Sequence, residues 1–147
     1  MLYITNTDIE RRLGSAAYVQ LTDDDGDGSA DVGVVDEARL AAEGAVNSFL
    51  AKRYSVPVNL VAHSELADLL ASVTLDLAEY RLRARRPPIP ESAERLHNQA
   101  MGWLMEVAEG TIDLPAATPV ASNVTRGTIA AVTGEARLLT RDELSRH

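Results

Sequence analysis

Cysteine is absent from the chain. That excludes a disulfide framework, thiolate zinc sites and cysteine nucleophiles. Aromatic residues are scarce, with one Trp, four Tyr and one Phe among 147 residues. The core must then come from Ala, Leu and Val, which suits close-packed helices better than a sandwich. Basic residues are outnumbered, 14 against 22 acidic ones, for a net charge of −8. A nucleic-acid grip needs a basic face that displaces counterions, so this surface is expected to let DNA pass without sticking. No run approaches the roughly 18 apolar residues of a membrane span. Met1-Leu2-Tyr3-Ile4 lacks the basic-then-apolar pattern of a signal peptide. The expectation is an intracellular soluble protein of one domain, or one small domain with an arm.

Helical periodicity is what the sequence does have. Asn6 or Thr7 can cap a short first helix that stops at Gly14, and Ala16 to Leu21 reads as a second apolar piece. Asp36 is a candidate N-cap for a third, with Ala38, Ala42, Ala45, Phe49 and Ala41, Val46, Leu50 as adjoining stripes ending near Tyr54. Ser64 opens what reads as the longest helix. Its stripe is Leu66, Leu69, Leu70, Val73, Leu77, Tyr80 and Ala84, with small residues on a second face, the pattern of a central helix. Pro87-Pro88-Ile89-Pro90 breaks the chain and Pro90 suits N1 of the last helix. Ala93, Leu96, His97, Ala100, Trp103, Leu104 and Val107 form that helix's apolar side, and Gly110 is its stop. The fold class is all-α, a small bundle of about four main helices over residues 1–110. Residues 111–147 carry Pro115 and Pro119 and no sustained period, so they read as an extended arm, with a short hairpin near Gly134.

Two clusters bear on chemistry. Asp23, Asp25, Asp27 and Asp31 fall at positions 1, 3, 5 and 9 of an EF-hand-type loop, with Gly28 at position 6. Alternate carboxylates of a tight turn suit Ca²⁺, but Val34 stands where position 12 asks for a bidentate Glu. Two readings stay open, a calcium site that orders the loop and a solvated Asp/Gly turn. The second cluster is Arg81, Arg83, Arg85 and Arg86 at a helix C-terminus. It reads as complementing the helix dipole, or as a contact patch for an acidic neighbour, including another copy of this chain. His63 and His97 read as surface and boundary residues. No P-loop, nucleophile elbow, metalloprotease helix or dinucleotide fingerprint is visible, so no enzyme is expected and no cofactor is required.

Several stretches together resemble a known family. They are Leu21-Thr22-Asp23 with its Asp/Gly loop, Phe49-Leu50-Ala51-Lys52-Arg53-Tyr54-Ser55-Val56-Pro57-Val58, Leu75-Asp76-Leu77-Ala78-Glu79-Tyr80-Arg81-Leu82 and Ala100-Met101-Gly102-Trp103-Leu104. The set resembles the Mu-like phage and prophage family related to head-tail connector (adaptor) proteins of tailed phages. The ending Arg137-Leu138-Leu139-Thr140-Arg141-Asp142 is similar to the Arg-x-Phe-Thr-Arg-Asp of relatives, with Leu139 in the aromatic's place. The resemblance implies a helical adaptor in the virion neck, assembled in the host bacterial cytoplasm. Its partners would be further copies in a ring, often a dodecamer, the portal protein, and a tail or stopper protein. DNA would pass through the lumen without sequence-specific binding, and no membrane is involved. Arg137, Leu139 and Arg141 would join Arg81–Arg86 in partner contacts. The alternative is a calcium-binding helical interaction module switched by the Asp-rich loop.

Overall fold

A computed structural model describes residues 3–114 of the chain. Its regular structure is helical: α1 (Asn6–Leu13), α2 (Ser15–Thr22), α3 (Val32–Leu50), a single 3-10 turn (Ser64–Leu66), α4 (Ala67–Ala84) and α5 (Glu91–Glu109). α1 begins one residue earlier than its sequence suggests. Thr5 is the cap, its hydroxyl accepting from the Asp8 N–H while the Asp8 carboxylate accepts from the Thr5 N–H. Bonds donated to the Asp8 carboxylate by the Thr5 hydroxyl and then by the Thr5 N–H hold that carboxyl below its ordinary range. Gly14, at φ +82°, makes the corner into α2.

α3 starts at Val32, four residues before the anticipated cap at Asp36. The Asp31 carbonyl accepts from the Val34 and Val35 N–H groups, so the helix leaves the aspartate loop without a gap. Asp36 is occupied elsewhere, accepting from the Asn6 amide and the Arg39 guanidinium. At its other end α3 gives way at Leu50 to a turn through Tyr54. α3 and α5 have 19 residues each and α4 has 18, so α4 is not the longest helix.

α4 is nonetheless central, packing against α1, α2, α3 and α5, as α3 does against its own neighbours. The buried row of α3 is Val35, Ala38, Ala42, Val46 and Leu50. It meets Leu70, Val73, Leu77, Ala78 and Leu82 of α4, and Ala100, Leu104 and Val107 of α5. Small residues along these rows let the helix axes approach, the packing that few aromatics require. Leu69 and Ala84, placed in the α4 stripe by spacing, are exposed. The polar strip of α4 is covered by α1. Arg12 reaches Asp76 and Glu79, and Glu79 also holds Arg83 one turn on.

One buried acid organises the N-terminal end. Glu43 of α3 is 1% exposed. Its Oε1 accepts from the backbone N–H of Tyr3 at 3.0 Å and of Ile4 at 3.3 Å, and its Oε2 lies 3.5 Å from Arg39. The Tyr3 hydroxyl donates to Asn47 Oδ1 and accepts from the Val58 N–H. The first described residues are thereby sewn to α3.

Candidate functional site

The loop between α2 and α3 is built by its own aspartates. Asp23 accepts from the N–H groups of Gly26 and Gly28, Asp25 from Asp27, and Asp27 from Ser29. Gly26 and Gly28 sit at φ +78° and +87°, where a side chain would be strained. The turn brings one carboxylate oxygen from each of Asp23, Asp25 and Asp27 within 4.8 Å of the others. Asp31 does not join that group. Its carboxylate accepts from the Asp24 N–H at 2.7 Å, closing the loop on itself. Val34, on the first turn of α3, offers no carboxylate at position 12. The Gly28 and Gly26 N–H groups pull the Asp23 carboxyl below its ordinary range. The Asp25 carboxyl is pushed up: the Asp27 N–H opposes the shift, but desolvation and the charges of Asp27 and Asp31 prevail. Three converging hard oxygens, one of them electrostatically crowded, are a donor set that fits a Ca²⁺-class ion.

The basic run at the end of α4 meets this loop. Arg85 donates to the Leu21 carbonyl at 2.7 Å and to Asp24 at 2.6 Å. Arg86 donates to the Asp23 carbonyl at 2.9 Å, with Asp24 at 3.5 Å. The acidic neighbour of these two arginines is therefore this chain's own loop. Arg83 pairs with Glu79 on its own helix. Arg81 is exposed, and no carboxylate among the described residues pairs with it.

A second constellation sits at the opposite end of the body. α5 carries Glu106 and Glu109 in its last turns and no basic residue there, the wrong sign for a helix C-terminus. Arg53 supplies the missing charge from the turn after α3. Its guanidinium donates to the carbonyls of Val107 (3.2 Å) and Ile112 (3.1 Å) and pairs with Asp113 at 2.6 Å. Gly110, at φ +90°, passes under this guanidinium, with a hypothetical Cβ only 3.5 Å from Arg53 Cζ. Tyr54 completes the hold, its hydroxyl accepting from the Leu114 N–H at 2.8 Å. Leu114 is buried, so the packed body runs past Gly110 to residue 114. The Arg-Tyr element is quoted above only for its family resemblance. Its role as anchor of the C-terminal segment has no local signature, because the partners lie 54 to 60 positions away.

His97 stacks on Tyr80 with ring centroids 3.9 Å apart. Desolvation, and secondarily the Arg81 charge, hold its pKa below the ordinary 6.5. The folded state therefore prefers neutral His97. Its contribution is complete above about pH 6.5 and is lost as pH falls below that value. Wild type is expected to lose more melting temperature than His97→Gln between about pH 7.5 and about pH 5.5. Parallel curves for the two proteins would refute this. Arg137, Leu139 and Arg141, and the hairpin anticipated near Gly134, lie outside the described residues.

Among the described residues no helix is long and apolar enough to cross a membrane. No curated protein matches the chain. The family described as Bacteriophage Mu, Gp36 matches residues 3–131, a span that takes in the whole helical body and continues beyond it. The chain belongs to the Bacteriophage Mu Gp36 family.

Proposed function

We propose that this member of a phage structural or morphogenesis family is a head-tail connector, an adaptor that forms a ring between portal and tail. The observation that carries the reading is the anchored root at Leu114. A helical body holds the start of its C-terminal segment with a guanidinium and a phenol from another element. Such a root suits a segment that leaves the body to grip a portal or a neighbouring copy, where Arg137, Leu139 and Arg141 would make contacts. The net charge of −8 suits a lumen through which DNA slides. The proposed site of action is the virion neck, and the proposed role is structural, not enzymatic. Native mass measurement of the chain with the portal protein of the same phage tests this. A stoichiometric ring complex is expected. A chain that stays monomeric with portal, and is missing from purified particles, would refute the reading.

A second reading is favoured by the convergence of Asp23, Asp25 and Asp27. These three carboxylates would hold Ca²⁺ weakly, with a dissociation constant of roughly 10⁻⁴–10⁻³ M, because position 12 lacks its glutamate. The ion would order the loop and supply no catalysis. Calorimetry is expected to show binding that disappears when all three are changed to Asn. Heats equal to a buffer blank at millimolar Ca²⁺ would sink it. If the triple variant still joins the ring, the ion is a local brace; if it loses its partner, the loop is a switch.

A further inference from the structure

One groove on the body has no assigned occupant. It encloses about 430 Å³ between α3, α4 and α5, and is lined by Val34, Ala38, Tyr80, Ala84 and His97. Glu37 and Arg81 add one charge of each sign, while Arg85 at its edge is committed to the loop. The His97 Nδ1 is buried and finds no hydrogen-bond partner among the described residues. A site of this kind asks for an aliphatic side chain, flanking charges of both signs and a polar backbone group.

We infer that, in the unassembled protein, the groove receives residues 141–144 of the same chain. Arg141-Asp142-Glu143-Leu144 carries the required set in four successive residues. Leu144 fills the apolar floor, Glu143 meets Arg81, and Arg141 meets Glu37. The tether has the right length. From His97 to the end of α5 at Glu109 is about 20 Å at 1.5 Å per residue. Thirty residues separate Leu114 from Leu144, and the coil relation for a tether of that length gives a root-mean-square reach of about 30 Å. The tether exceeds the distance by roughly half, so it can reach the groove at an effective concentration still of millimolar order, and capture by the chain's own groove outcompetes capture by another copy in dilute solution. The contact would keep the segment off wrong surfaces until a partner displaces it. Self-docking stands apart from the adaptor reading, and only this release step rests on it.

The absence of native cysteine makes the test direct. The full-length pair Ala84→Cys/Ser145→Cys places one thiol at the groove and one beside Leu144. The pair Ser72→Cys/Ser145→Cys uses an exposed body position outside the groove. Under mild oxidation the first pair is expected to close an intramolecular disulfide about ten-fold faster than the second. Adding Arg81→Glu should bring it to the control rate, and Glu143→Arg on top should restore it. Equal rates for the two pairs, bonds formed mainly between chains, or no restoration by the second reversal would overturn the inference. Mixing the same variants with portal protein separates the two proposals. Ring formation without the fast disulfide overturns self-docking alone, and the fast disulfide without ring formation overturns the adaptor alone.

Discussion

Glu43→Leu is expected to destabilise the body by about 3–5 kcal/mol, the cost of breaking a buried ion pair from one side. The carboxylate is 1% exposed and serves three groups at once, the N–H groups of Tyr3 and Ile4 and the Arg39 guanidinium. Removing it leaves two donors on buried residues without their acceptor and takes from Arg39 the more deeply buried of its two carboxylates. Arg39 retains Asp36 and Asn6, which is why the loss stays at the scale of one buried pair. Glu43→Gln should lose less, since an amide oxygen can still accept from Tyr3 and Ile4. Arg39→Met/Glu43→Leu should recover part of the loss, because an apolar pair has no stranded charge. Urea unfolding followed by circular dichroism reads all three. A Glu43→Leu protein within about 1 kcal/mol of wild type would show that the N-terminal segment is not held through this acid.

Leu77→Ala is expected to cost about 2–5 kcal/mol. Leu77 is 3% exposed and stands midway along α4, the helix that touches α1, α2, α3 and α5. Its neighbours in the row, Val73 and Ala78, are short, so little nearby can swing in to fill the space. Leu69→Ala, one helical face away on an exposed position, is the internal comparison and should cost well under half as much. Equal losses for the two would mean that the bundle does not close around Leu77.

What the sequence announced and what it hid divide along one physical line. Repeating apolar spacing is a local signal, so α4, α5 and the Gly110 stop could be read from the letters alone, and the all-α class followed. The Asp-Asp-Asp-Gly alternation is local too, and Asp23, Asp25 and Asp27 do converge. Long-range pairing left no such trace. Glu43 looks like one more acid on a surface helix until Tyr3 and Ile4 fold onto it. Arg85 and Asp24 are 61 residues apart, so local spacing reveals a basic run but not that its acidic neighbour is the chain's own loop. Asp31 matched the ninth position of a calcium loop by count, yet the Asp24 N–H claims it. Asp36 has the chemistry of a cap, but the backbone bonds to the Asp31 carbonyl fix the first turn of α3.

The hold of Arg53 and Tyr54 on residues 107–114 also determines how the protein carries load. A pull on the chain beyond residue 114 does not act directly on the last turn of α5. It must first break the Tyr54 hydroxyl bond to Leu114, then the Arg53 contacts to Asp113 and Ile112. Those contacts pass the force across to the junction after α3, so two helices share the strain that one would bear. Single-molecule stretching from the C-terminal side should therefore register a distinct yield event before α5 unravels, weakened in Arg53→Ala and erased in Arg53→Ala/Tyr54→Phe.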